Sequence, residues 1–374
     1  MNKLVDARAM LSGPGSIPLP RATRPVAKAS ALAYLHMGRP DLSKASAFLE
    51  DFGLVQAASG ADCVYYRGTG THPFIYKVTR TKQPCFIGFG LTVEDEASLA
   101  ALARHFGAAI DTNGDPGGGV VLRITDPDGH RIDVLHGQAP VAKLPMRGAI
   151  KHNAPGETVR VNAAQRPKLA PPEVSKLGHI VLATPHFARN ARWYMESFGF
   201  IPSDVLCLPD GTPAGAFMRL DRGPVPSDHH TLFVALGAAP GIDHAAFEVA
   251  DLDAVEMGQQ VLRARGYRHS WGVGRHLLGS QIFDYWRDPW LMKHEHYADG
   301  DLFDADQPTF YHKLDRQGLY QWGPDLPEDF VDPGLTPVAV ARLLWHAARG
   351  EVALAPLLAA ARSMRAPGRA WQKR

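Results

Sequence analysis

Two stretches of the chain repeat the same order of apolar and polar positions. Strand-length apolar runs, ALAYLHM (31–37) and KLGHIVLA (176–183), open each stretch. Segments of helical period follow, DLSKASAF (41–48) and HFARNARW (186–193), running into the matching endings FLEDFGL (48–54) and YMESFGF (194–200). Further on, FIGFGLTVEDEASLAALARHFG (86–107) parallels HAAFEVADLDAVEMGQQVLRARG (244–266), each a strand and then a helix. DPDGHRID (126–133) parallels DPWLMKHE (288–295), and SQIFDYWRDP (280–289) and LMKHEHY (291–297) read as two strands joined at a turn. Short strands with one helix per unit predict an α+β fold of small curved sheets with their helices on one face.

Proline and glycine mark the boundaries. Residues 1–30 read as an irregular N-terminal arm, 31–139 as a first module, 140–172 as an extended proline-containing linker, 173–300 as a second module and 301–374 as a C-terminal extension. Within the extension, TPVAVARLLWHAARG predicts a helix capped by Thr336 and ended by Gly350, and EVALAPLLAAARSMRA a second helix interrupted at Pro356. The extension is read as a packing appendage, with a lid or an oligomer contact as the sharper alternative. The basic end RAPGRAWQKR is read as frayed.

Composition narrows the function classes. In 374 residues, 40 Lys and Arg balance 38 Asp and Glu, with no long basic run, so nucleic acid is not an expected partner. No apolar window reaches the roughly 18 residues that span a bilayer. The N-terminus lacks the uninterrupted apolar core of a signal peptide. Cys63, Cys85 and Cys207 lie far apart and form no CxxC pair, which fits a reducing compartment. The expectation is a soluble, cytoplasmic protein.

The ordered repeat resembles the vicinal oxygen chelate superfamily, whose βαβββ units pair into open barrels around a metal; the resemblance covers roughly residues 31–300. Three residues of the second module stand in strand-like runs from separate parts of it: His179 in LGHIVL, His244 in IDHAAFEV and Glu295 in KHEHY. Side chains alternate across a curved sheet, so all three can point into its concave face. Two imidazoles and one carboxylate make a facial triad with open coordination positions, the arrangement expected for non-haem Fe(II), although Mn(II) accepts the same ligands. A lone strand histidine is more often structural, and the first module serves as an internal control. Sliding 146 residues back from His179 reaches Ala33; aligning FIGFGL with HAAFEV sets Phe86 opposite His244; Asp133 alone keeps a carboxylate, opposite Glu295. His36 falls opposite Leu182. The first module therefore reads as metal-free.

The second module resembles the type I extradiol ring-cleavage dioxygenases in LGH (177–179), HHT (229–231), GRH (274–276), Tyr285 and the terminal Glu295. His276 precedes Tyr285 by nine residues and Tyr285 precedes Glu295 by ten, which fits the family pattern. The resemblance implies an Fe(II)-dependent homo-oligomer that opens the ring of a catechol with O2, giving a semialdehyde, in the catabolism of aromatic compounds. It further implies His230 as acid–base, Tyr285 as a hydrogen-bond donor to bound catecholate, and His276 as a substrate contact or pocket residue. Histidine suits the acid–base role because its pKa lies near neutrality. His229 is the rival, favoured by counting back from His244 if the loop between has no deletion. Asp284 departs from the family, where an aromatic residue commonly precedes the tyrosine, and puts the pocket wall in doubt. Strand alternation turns His294 and His296 away from the metal, into packing roles, and Asp243 off the face beside His244. Glu248 shares the parity of His244 and is a reserve ligand. Two other readings use the same fold: a glyoxalase-like isomerase, which needs a second carboxylate as base, and a non-catalytic small-molecule binder, which needs no triad.

Overall fold

The computed structural model describes residues 17–331, 337–350 and 352–365. Two curved sheets dominate it. The first contains β1 (Ala29–Arg39), β2 (Val55–Ser59), β3 (Cys63–Arg67), β4 (Tyr76–Arg80), β5 (Cys85–Val93), β6 (Ile110–Thr112), β7 (Val120–Thr125) and β8 (Arg131–His136), in the spatial order β2-β3-β4-β1-β5-β8-β7-β6. The second contains β9 (Lys176–Thr184), β10 (Ile201–Cys207), β11 (Pro213–Arg219), β13 (Leu232–Leu236), β14 (Gly241–Glu248), β15 (Arg268–Arg275), β16 (Ile282–Arg287) and β17 (Lys293–Ala298); β12 (Ser227–Asp228) pairs separately with β18 (Leu302–Phe303). Its order, β15-β16-β17-β14-β9-β13-β11-β10, repeats that of the first sheet. In each, an antiparallel pair at the centre (β1–β5, β9–β14) joins two βαβββ units.

The helices fall where the 3.6-residue period placed them: α1 (Leu42–Asp51), α2 (Glu96–Phe106), α3 (Phe187–Phe198) and α4 (Leu252–Ala264). Asp41, Asp95 and Asp251 cap α1, α2 and α4 by accepting from the backbone N–H three residues on. The linker is tied down rather than loose: Arg147 and the Ile150 N–H both donate to the Asp251 carboxylate.

The modules share one apolar core, and the convex faces of the sheets carry the helices that join them. His294 and His296 do this joining. His296 stacks on Phe52, just past the end of α1, at 3.8 Å and its Nε2 lies 2.8 Å from the Phe52 carbonyl, while His294 Nε2 is 3.0 Å from the Tyr76 hydroxyl. Burial pushes both imidazoles down to about 4, so they are neutral packing groups. On the other side Tyr194 of α3 donates to Asp126 of the first module at 2.8 Å. Arg39 and Asp288 form a buried ion pair across the same junction at 2.7 Å, with side chains only 3% and 4% exposed.

The extension departs from the expected packing appendage. Residues beyond 300 add a ninth strand to the second sheet, β19 (Phe310–Lys313), parallel to β10, and then run over the open side of the module to α5 (Glu328–Val331). Helices α6 (Pro337–Ala348) and α7 (Leu354–Met364) follow. Pro356 sits in the first turn of α7, where its missing N–H has no intrahelical partner to lose, so it does not interrupt the helix as expected. Thr336, the expected cap of α6, and most of the basic end (366–374) lie outside the described residues, as do residues 1–16 of the arm. The rest of the arm packs on the second module through Leu19, Ala27 and an Arg21–Asp221 ion pair of 2.6 Å, and β1 already begins at Ala29. No helix among the described residues is long and apolar enough to cross a membrane, and Cys63, Cys85 and Cys207 form no disulfide.

Breaking a buried ion pair leaves one charge without a partner. Arg39→Ala is therefore expected to lower the unfolding free energy by about 3–5 kcal/mol. Urea unfolding of the full chain measures this, and a change within about 0.5 kcal/mol, the range typical of surface substitutions, would refute it.

Candidate metal centre

The concave face of the second sheet gathers His179 from β9, His244 from β14 and Glu295 from β17. Register explains why three distant residues meet. Ala246 of β14 pairs with His179 on one side and with Glu295 on the other, and His244 lies two residues along the same face. A bulge at Gly178 turns His179 inward. The Tyr297 ring crosses at that point so closely that a Cβ on Gly178 would lie 1.9 Å from its hydroxyl. The glycine of LGH is thus required by packing beside the ligand.

One carboxylate oxygen of Glu295 lies 3.2 Å from His179 Nε2 and 3.4 Å from His244 Nε2. Glu295 is fully buried, His179 is 2% exposed and His244 8%. Neither Glu295 oxygen has an aligned hydrogen-bond donor. A buried carboxylate without donors is strongly unfavourable unless a cation neutralises it. Two donor atoms bound to one cation at about 2.1 Å each sit about 3.0–3.5 Å apart, the spacing found here. The donor set therefore fits a divalent metal. Among the described residues it is the one cluster of three or more His, Cys, Asp or Glu that converges in this way.

Electrostatics prepare the donors. Burial pushes the Glu295 carboxyl up, but the imidazoles of His179, His244 and His276 outweigh it and hold it well below the ordinary range. Burial lowers His179, which keeps its ring neutral with a free lone pair. Burial also lowers His244, but Asp243 and Glu295 outweigh it, leaving a net rise. The cause is direct: His244 Nδ1 lies 2.7 Å from an Asp243 oxygen, whose other oxygen accepts from Lys293 Nζ at 2.8 Å. Asp243 was expected to lie off the face beside His244; from its place it orients the ring, leaves Nε2 directed at Glu295 and increases its basicity. The signal available in the sequence was an acidic residue adjacent to a ligand histidine, but adjacency alone does not show that the strand bulges at Asp243.

The expected substrate-side residues surround the triad. His276, just beyond β15, donates from Nδ1 to the Leu319 carbonyl at 2.7 Å, and its Nε2 meets the Tyr285 hydroxyl at 2.9 Å. Burial, then Glu295, raises the Tyr285 phenol well above its usual value and keeps it protonated. Phe330 of the extension packs on the Tyr285 ring at 4.9 Å, so the extension forms part of the site. The His230 ring lies 4.0 Å from that of His179. His229 is buried behind it, with both ring nitrogens already engaged, Nδ1 to His230 and Nε2 to Asp204. Asp284 is not a pocket wall. It points to the opposite face from Tyr285, where His269, Trp286 and Gln259 bond its carboxylate beneath α4. Glu248 is not a reserve ligand either; Ser175 and Lys176 hold it elsewhere.

In the first module other residues fill the corresponding places. The bulge at Ala33 matches that at Gly178, so Tyr34, Gly88 and Asp133 occupy the places of His179, His244 and Glu295. The expected counterparts Ala33 and Phe86 are off by one and two residues because a fixed offset ignores length differences between the modules: Tyr34 precedes Phe52 by 18 residues, whereas His179 precedes Phe198 by 19. By the same shift His36 matches Val181. Tyr34 donates to Asp133 at 2.5 Å, Arg131 binds the same carboxylate, and a Cβ on Gly88 would lie 1.8 Å from the Arg131 carbonyl.

Comparison with known proteins agrees with this geometry. Residues 176–290 match the Glyoxalase/Bleomycin resistance protein/Dioxygenase superfamily. The chain is 31% identical to Metapyrocatechase 2 of Cupriavidus necator over 316 residues, 83% of this chain and 94% of that protein. The chain belongs to the type I extradiol dioxygenases of the vicinal oxygen chelate superfamily. In fold it is similar to an anaerobic substrate complex of homoprotocatechuate 2,3-dioxygenase from Brevibacterium fuscum (TM-score 0.68, 20% identity, 84% of this chain and 94% of that one). It is about as similar to an Mn(II)-bound glyoxalase from Novosphingobium aromaticivorans (TM-score 0.67, 22% identity, 84% of this chain and 97% of that one). Fold likeness alone therefore does not separate the two chemistries.

Each of His179→Ala, His244→Ala and Glu295→Ala is expected to abolish metal uptake, measured by elemental analysis of the purified protein after loading. Asp243→Asn should weaken affinity by about 10–100-fold, and Glu248→Ala should leave it unchanged. Full occupancy in Glu295→Ala would refute the ligand assignment.

Proposed function

We propose that this protein is an Fe(II)-dependent extradiol dioxygenase that cleaves the ring of a catechol-type aromatic beside its two hydroxyls. Both atoms of O2 enter the product, a ring-opened semialdehyde. The observation that carries the reading is the buried triad His179, His244 and Glu295 with His230, His276 and Tyr285 around it. The chemistry supplied by a bound Fe(II) is chelation of the two catechol oxygens and electron transfer between ring and O2.

The chain's own residues supply the rest. His230, which burial keeps neutral, accepts a proton from a catechol hydroxyl and returns it during ring opening. Tyr285, kept protonated, donates to a substrate oxygen with His276 as its partner. Trp271, Phe283, Tyr285 and Phe330 form an apolar aromatic wall suited to a planar ring. The glyoxalase-like reading has less support, because the reserve carboxylate Glu248 is tied up away from the triad. The same reading makes the protein a cytoplasmic homo-oligomer in aromatic catabolism, which cell fractionation and sedimentation test.

The deciding experiment is anaerobic loading with Fe(II) followed by mixing with a panel of catechols in air. A yellow ring-fission product with one O2 consumed per catechol is expected; no product from any catechol at full metal occupancy refutes the function. His230→Ala is expected to retain iron while kcat falls by about 10²–10⁴-fold, and turnover at the wild-type rate removes His230 from the mechanism.

A further inference from the structure

Behind the metal centre a chain of side chains runs from the pocket to the molecular surface: His230, His229, Asp204 and His312. His229 Nδ1 lies 3.0 Å from His230 Nδ1, His229 Nε2 lies 2.5 Å from one Asp204 oxygen, and His312 Nε2 lies 2.6 Å from the other. Asp204 stands on β10 and is 5% exposed, and His229 is 1% exposed. His312 is carried in by β19, the strand that the C-terminal extension adds alongside β10, and its side chain is 20% exposed.

The geometry points to Asp204, His229 and His312 as positioning residues that determine which ring nitrogen of His230 carries its proton. An ionised carboxylate only accepts hydrogen bonds, so each imidazole that meets Asp204 must bring an N–H at Nε2. A neutral His229 protonated at Nε2 has a bare Nδ1. The facing Nδ1 of His230 must then be the donor, which leaves His230 with a bare Nε2 as its only basic atom. His230 is thereby set as a proton acceptor before any substrate arrives.

His312 has a separate task. By occupying the second oxygen of Asp204 it stops the carboxylate from rotating and keeps the first oxygen on His229. The backbone is held as firmly: the His229 N–H donates to the Asp301 carbonyl at 2.8 Å, and the His229 carbonyl accepts from Ser203 Oγ at 2.7 Å. Burial pushes the Asp204 carboxyl up, but its bonds to His229 and His312 outweigh that and hold it at about 2, so it is ionised under all working conditions. The C-terminal extension thus reaches the chemistry through a residue that never enters the pocket.

This inference rests on the assignment of His230 as acid–base, and its test separates the two. The full chain, labelled with 15N-histidine and loaded with diamagnetic Zn(II), reports ring protonation by long-range 1H–15N spectra. The expected pattern is His229 protonated at Nε2 and His230 at Nδ1. Asp204→Asn is expected to move His230 protons to Nε2 and to lower kcat of the iron enzyme by about 10²–10⁴-fold, with KM and metal content little changed. His312→Leu should mix the two forms of His230, whereas His312→Gln, which keeps a donor for Asp204, should restore the single form; this pair stands in if Asp204→Asn does not fold. A wild-type His230 protonated at Nε2, or a pattern unmoved by both Asp204→Asn and His312→Leu, overturns the inference whatever the turnover. A pattern that shifts as expected, together with full turnover in His230→Ala, overturns the acid–base assignment instead.

Discussion

A carboxylate with no aligned protein donor, fully enclosed in a sheet, is the feature on which the second module is organised. Two imidazole nitrogens sit within 3.4 Å of Glu295 and offer, with it, a donor set that fits a cation able to neutralise the buried charge. Much of the surrounding structure serves that arrangement. The bulges at Gly178 and Asp243 aim the two histidines, Asp243 and Lys293 steady one of them, and the Tyr297 ring closes over the glycine beside the other.

The first module makes the same constraint visible by its absence. Its buried carboxylate, Asp133, occupies the position of Glu295 but is satisfied by a tyrosine hydroxyl and an arginine. A protein-supplied hydrogen-bond network there does the work of a cation. Both modules therefore bury an acid, one among hydrogen-bond donors and the other beside two imidazoles that with it fit a metal. The first module still contributes to the second, since Phe48 of α1 and Phe52 at its end supply the surface against which His294 and His296 of the Glu295 strand are packed. The strand that carries Glu295 is held on one face by the site and on the other by the neighbouring module.

The C-terminal extension belongs to this design. It places the Leu319 carbonyl on His276, Phe330 on Tyr285 and His312 on Asp204. None of these contacts was legible in its sequence, which lacks the periodicity that assigned the modules. Function carried by isolated contacts of an irregular segment leaves no repeating pattern to detect.

Alternation and helical period were enough to place a repeated strand–helix–strands pattern and the four module helices and to let His179, His244 and Glu295 share an inward face, while the βαβββ units came with the family resemblance. These properties follow from local geometry, which each short segment expresses by itself. The correspondence between the modules lay beyond them: the segment that runs from Tyr34 to Phe52 is one residue shorter than the one from His179 to Phe198, so Tyr34 and Gly88 rather than Ala33 and Phe86 fill the places of His179 and His244. Which of two adjacent histidines stands beside His179 was likewise a tertiary matter. His229 and His230 are both buried, and only Asp204, brought by another strand, draws His229 away and leaves His230 beside His179.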